Sequence, residues 1–168
     1  SNTSAFFDWN NSLVGYWSFD YYNTTHVSDN STYGNNGTFQ GANFGVNNIT
    51  KGKYGKALSF DGVDDYVEVP ADPSLRVEEL NTVMLWFKLS TVPTTGTTIV
   101  TKDDWAPGGW LDGSKIRWHT HSPSGAMYYL DVSWSADTNW HFLAVSWNGS
   151  QFVMYMDGDI TVSYTHLT

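Results

Sequence analysis

The chain has 168 residues, about one domain by length, of which 40% are hydrophobic, 17% aromatic and only 15% charged. It is too aromatic for a disordered tail and too often interrupted by polar residues for a membrane span. Seventeen acidic residues against eight basic ones give a net charge of -9, a field that repels phosphate backbones and excludes nucleic acid as a natural partner, and the absence of cysteine removes disulfides, thiolate metal sites and a cysteine nucleophile together.

No window sustains helical periodicity, whereas apolar and polar residues alternate in short runs separated by Gly, Asn, Asp and Pro. In chain order the predicted strands are Val14 to Phe19, Gly37 to Phe39, Ala57 to Phe60, Tyr66 to Val69 and Thr82 to Leu89. They continue with Thr97 to Lys102, Lys115 to His121, Ala126 to Ser133, His141 to Trp147 and Gln151 to Tyr155. Ten short strands predict an all-β sandwich or barrel.

Parity within these strands predicts which side chains share a face. Val83, Leu85, Phe87 and Leu89 oppose Thr82, Met84, Trp86 and Lys88; His141, Leu143, Val145 and Trp147 oppose Phe142, Ala144 and Ser146; Phe152, Met154 and Met156 oppose Val153 and Tyr155. Neither face of these strands is wholly polar, which predicts mid-sheet positions with a core on one side and an aromatic, partly covered groove on the other. Asn148-Gly149 and Asp157-Gly158 read as hairpin turns.

Asn-x-Ser/Thr occurs at Asn2, Asn10, Asn23, Asn30, Asn36, Asn48 and Asn148. The density suits a glycosylated surface protein, and equally a chain whose turns are rich in Asn, Ser and Thr. No leader or membrane segment is visible and the opening SNTS reads as a processed end, so an extracellular location would rest on a leader already removed.

Three ordered segments, GYWSFD at Gly15 to Asp20, DNSTYGNNGTFQG at Asp29 to Gly41 and GKYGKALSFDGVDDYVEVP at Gly52 to Pro70, are followed by NWHFLAVSWNG at Asn139 to Gly149 and YMDG at Tyr155 to Gly158. The series resembles the concanavalin A-like, laminin-G-type jelly roll. The resemblance implies a two-sheet antiparallel sandwich over residues 13–161, preceded by an extension or strand lead-in at 1–12. It also implies a non-catalytic binding module on a larger secreted or surface protein, with a glycan or a cell-surface protein as partner.

Members of this family continue past the YMDG hairpin to an acidic final strand that pairs beside the N-terminal one. The last seven residues here, VSYTHLT, match translation of the transposon-end adapter GTC TCT TAT ACA CAT CTG ACG. Residues 162–168 are therefore expected to be adapter read-through at the broken end of a metagenomic contig, with a longer native gene behind them.

Five sites of chemistry compete. In FDGVDDYVEV the aspartates Asp61, Asp64 and Asp65 surround Gly62, and the pattern reads first as a turn whose carboxylates bind local amides; Val63 at the third ligand position excludes an EF-hand loop. A calcium site assembled from Asp20, Asp29 and Asn36 would suit jelly rolls of this type, although the family's acidic final strand often supplies a further ligand. Glycosidase activity would need two opposed carboxylates, which related enzymes carry as Glu-x-Asp-x-x-Glu on one strand, and Glu68, Glu78 and Glu79 do not form that pattern. His119 and His121 share a strand face and could hold zinc only with a third ligand.

The fifth is Asp103 to Leu130, where Trp105, Trp110, Trp118, Tyr128 and Tyr129 accompany Asp104, Asp112, Arg117, His119 and His121, with Trp110, Trp118 and Tyr128 the foremost ring candidates. Such residues could line a glycan groove, with rings stacking on sugars and polar groups binding hydroxyls, or fill the core of the second sheet. Burial of Trp110 and Trp118 would favour the core.

Overall fold

The computed structural model describes residues 12–76, 81–102, 108–121 and 127–165, without the side chains of His121 and of residues 162–165. The chain divides into two compact units, Ser1–Arg76 and Val77–Thr168. Among the described residues the regular structure consists of antiparallel strands and two three-residue 3-10 turns, so the chain is all-β.

The first unit holds β1 (His26–Val27), β2 (Gly37–Gln40), β3 (Ile49–Lys51), β4 (Lys56–Leu58) and β5 (Tyr66–Glu68). They form a sheet in the order β1-β2-β5 and a separate β3-β4 hairpin. Loops are held largely by side chains. Asp29 accepts from the amides of Tyr16, Ser31 and Asn35 and from the Ser31 hydroxyl, and Asn35 donates to Val14 O and Ser74 Oγ. These bonds explain why the predicted strand Val14 to Phe19 is absent. Val14 O and Tyr16 N are taken by loop side chains and Tyr16 O by the Asn30 amide instead of a ladder, and Phe19 adopts a left-handed φ of 61° that breaks extended chain.

The second unit is a two-layer sandwich. One sheet, in the order β10-β9-β8-β7, contains β7 (Thr97–Thr101), β8 (Gly108–Leu111), β9 (Lys115–His121) and β10 (Met127–Ser133). The other, β13-β12-β11-β6, contains β6 (Asn81–Lys88), β11 (Trp140–Trp147), β12 (Gln151–Met156) and β13 (Asp159–Thr165). Leu111, Ile116, Trp118, Leu130 and Val132 from the first sheet close against Leu143, Val145, Trp147, Phe152 and Met154 from the second. A filled interlayer of this kind is the main source of stability in a sandwich.

The predicted parities hold: Val83, Leu85, Phe87 and Leu89 pack against this core, while Met84 and Trp86 are exposed. Among the described residues β6 pairs only with β11, which makes it an edge strand and not a mid-sheet one. At Asp157-Gly158 both residues have positive φ, 55° and 97°. This is the primed turn that matches the twist of a two-residue hairpin.

Strands β1, β3, β8 and β13 were not predicted. Two are very short, β8 begins with two glycines that read as a turn, and β13 enters the segment 162–168.

Candidate functional site

Strand β9, KIRWHTH, carries two unlike faces. Ile116, Trp118 and Thr120 point into the core, the last two each 1% exposed, while Lys115, Arg117 and His119 point outward. In β10 the apolar parity, Tyr128, Leu130 and Val132, is again inward, leaving Met127, Tyr129, Asp131 and Ser133 outside. In β8 the outward ring is Trp110.

Register then assembles a cluster on the outer surface. Arg117 lies opposite Trp110 on β8 and opposite Asp131 on β10, while Tyr129 lies opposite His119. The guanidinium carbon sits 5.2 Å from the Trp110 ring centroid and 5.1 Å from that of Tyr129, within cation–π range of both. Arg117 Nε and Nη2 donate to the two oxygens of Asp131 in a bidentate pair. This bond holds the Asp131 carboxyl below the usual carboxylate range and raises the Arg117 pKa further. Lys115 Nζ lies 5.3 Å from the Trp110 centroid, and the His119 ring 6.3 Å from that of Tyr129. Two rings, a fixed ion pair and flanking hydrogen-bonding groups thus share one accessible face.

Three of the predicted binding residues take other roles. Trp118 is a core residue whose ring lies across Gly109, its cross-strand partner: a Cβ there would come within 2.4 Å of the indole. A ring so enclosed offers no surface to a sugar. Tyr128 faces inward and stacks on buried Trp147 at 5.6 Å. Asp112 locks the β8–β9 turn, its Oδ1 accepting from Ser114 N, Ser114 Oγ and Lys115 N. Trp110 and His119 do reach the outer face. Trp105 lies outside the described residues, as does the His121 side chain of the supposed zinc pair. Sequence reasoning placed Arg117 and Tyr129 in the candidate region but missed Asp131, one residue beyond it, and the pairing that joins the three.

In the first unit Asp20, Asp29 and Asn36 are each engaged with backbone. Asp29 is buried; burial pushes its pKa up, but the Ser31 hydroxyl and the amides of Tyr16, Ser31 and Asn35 outweigh this and lower it. Asn36 Oδ1 accepts from Asp29 N. Asp20 accepts from Lys56 N instead, and its carboxylate sits over Gly55, whose φ of +57° and crowded α-carbon suit only glycine. Asp61, Asp64 and Asp65 present oxygens within 4.8 Å of one another. Asp61 and Asp65 bind their own loop, Asp61 accepting from Val63 N and Asp64 N and Asp65 from Asp61 N, whereas Asp64 accepts from Ala42 N in the loop after β2. The turn-locking reading of this stretch describes the bonds of Asp61 and Asp65.

The five sequon asparagines among the described residues also hold turns or loops. Asn23, Asn48 and Asn148 accept from nearby amides, Asn36 from Asp29 N, and Asn30 from the Ser18 hydroxyl.

The chain is similar in fold to several solved binding domains. The binding domain of Paraclostridial Mosquitocidal Protein 1 matches with TM-score 0.65 and 13% identity, over 84% of this chain and 39% of that one. The receptor binding domain of botulinum neurotoxin C/D mosaic serotype matches with TM-score 0.62 and 14% identity, over 83% and 36%. An S-layer domain-containing protein from Clostridium thermocellum ATCC 27405 matches with TM-score 0.56 and 22% identity, over 92% and 73%. The chain thus spans about two-fifths of the toxin binding domains it matches. No curated protein sequence matches it. A family model described as the concanavalin A-like lectin/glucanases superfamily matches residues 61–167, well over half the chain. The chain belongs to that superfamily, in its laminin-G type.

Proposed function

We propose that this domain is a non-catalytic saccharide-binding module of a secreted or surface protein, and that its ligand lies on the outer face of the β7–β10 sheet. The observation that carries this reading is the cluster of Trp110 and Tyr129 around the Arg117–Asp131 pair. Tyr129 is 48% exposed and Trp110 half-buried, so part of each ring reaches solvent beside groups that can donate to and accept from hydroxyls. Sugars are bound by this pairing of C–H stacking surface with directed hydrogen bonds. The similarity to toxin binding domains and to an S-layer domain supports a binding role and a secreted or surface setting. Among the structural neighbours, the binding domain of botulinum neurotoxin DC forms complexes with SialylT and with rat synaptotagmin II, and cell entry of botulinum neurotoxin type C depends on two ganglioside molecules. Those partners belong to proteins more than twice the span of this chain, and they support only the general class of glycan or protein ligand.

The test is a glycan-array screen of the purified domain with Trp110→Ala and Tyr129→Ala variants. Each substitution is expected to weaken binding by about 1–3 kcal/mol, by analogy with aromatic stacking on nucleobases, with little change in melting temperature. An array on which the wild type binds nothing, or on which both variants bind as well as wild type, would overturn the reading. A second reading, a structural or adhesive spacer, is favoured by the burial of Trp118 and Tyr128 in the sandwich, and a blank array would support it.

A further inference from the structure

We infer that the saccharide bound on this face is uncharged, and that Asp131 is the specificity-determining residue that excludes acidic sugars. This rests on the proposed saccharide site and names its ligand class. An outward arginine flanked by two rings would by itself be a fork for carboxylate or sulfate. Asp131 changes that. It takes Nε and one Nη2 hydrogen of Arg117, so the guanidinium presents a neutralised pair to solvent. The second Nη2 hydrogen is left, and the Asp131 Oδ2 that Nη2 already meets keeps acceptor capacity beside it. Donor and acceptor side by side match hydroxyls, which accept from one and donate to the other. A ligand carboxylate or sulfate would meet a guanidinium whose charge is already paired and, at Nη2, an Asp131 oxygen next to its own.

Beyond the pair, one lysine is set against an acidic chain. Lys115, the other cation of the strip, acts on both Asp112 and Asp131, and Asp112 opposes it at Asp131 only in part. The whole chain carries -9. Like charges placed together in an interface are strongly disfavoured, so discrimination against the acidic member of a matched pair should be at least about tenfold.

The experiment is an array of neutral oligosaccharides printed beside their sialylated and sulfated counterparts, read at one physiological ionic strength so that screening is constant. Wild type is expected to favour the neutral member of each matched pair by about tenfold or more. Asp131→Asn, which frees the arginine charge at an exposed position, should shift that ratio toward the acidic member by about tenfold or more. Arg117→Gln should weaken neutral binding without gaining acidic ligands. Melting curves of each variant establish that it is folded. Preference of the wild type for acidic glycans, or a ratio unmoved by Asp131→Asn, would overturn this inference and leave the saccharide site standing. An array with no binding at all would overturn both.

Discussion

The two faces of β9 are built from adjacent residues and behave as different materials. Inward, Ile116, Trp118 and Thr120 are almost fully enclosed. Outward, Lys115, Arg117 and His119 lie among rings and a carboxylate that water can reach. The same residue type therefore serves opposite ends: Trp118 supplies apolar area to the core, and Trp110, one strand away and on the other side, supplies a ring to the surface. Aromatic content does not distinguish them. Parity and cross-strand partner do, because a one-residue shift in a strand exchanges core for solvent.

The sharpest way to break this contrast is to truncate one tryptophan from each face. Trp118→Ala should cost about 3–5 kcal/mol through lost burial and a cavity in the interlayer. Trp110→Ala should cost under about 1.5 kcal/mol, since the ring is only partly buried and lies on the outer face. Denaturant unfolding of both variants measures the difference, and equal losses would dissolve the distinction. Next in size is Gly109→Ala, which places a methyl where the Trp118 ring already lies. It is expected to cost about 1–3 kcal/mol as the indole is displaced. A variant as stable as wild type would mean that the ring can move aside at no cost.

Much of the fold was legible because alternation is a strong signal where both faces carry information. The parities of β6, β11 and β12 followed from apolar residues at every second position, and Asp157-Gly158 announced its turn. The site was less legible. Reading Trp118 as a sugar platform weighed residue type above parity, although β9 already placed Lys115, Arg117 and His119 together on the more polar side. The partner strand held the missing clue: Leu130 and Val132 mark the inner parity of β10, and antiparallel pairing sets Leu130 opposite Trp118. Tyr129 and Asp131 then fall outside by elimination. The strand expected at Val14 to Phe19 failed for a different reason, since no local pattern announces that Asp29, thirteen residues beyond Tyr16, will claim its amide.

The inner face also carries one titratable exception, and it gives the smallest and most specific test of the contrast. His141 is buried on the core side of β11, packed against Phe87 and Trp134. Its Nδ1 meets Asp157 Oδ2 at 2.7 Å in the β12–β13 turn, and its Nε2 meets Asp137 Oδ1 at 3.0 Å in the loop before β11. Only the protonated ring can donate to both carboxylates. Burial pulls the His141 pKa down, but the bonds to Asp157 and Asp137 outweigh it and raise the value above 6.5. The Asp157 carboxyl is pushed up by burial and pulled down more strongly by the Phe142 amide and His141, and Asp137 is lowered first by the Asn139 amide. A raised histidine contributes stability that is complete below its unfolded value, about 6.5, and lost as pH rises through the folded value. The lowered aspartates contribute above about pH 3.9 and lose their effect as pH falls through their folded values. The latch is therefore strongest between about pH 4 and 6.5. Wild-type melting temperature should fall from pH 6 to pH 8.5 as the raised imidazole loses its proton. His141→Gln, which keeps hydrogen-bonding capacity without the charge, should start lower and show a flatter profile over that range. Parallel profiles for the two proteins would show that the imidazole does not titrate in the folded core and that the turn is held by Asp157 alone.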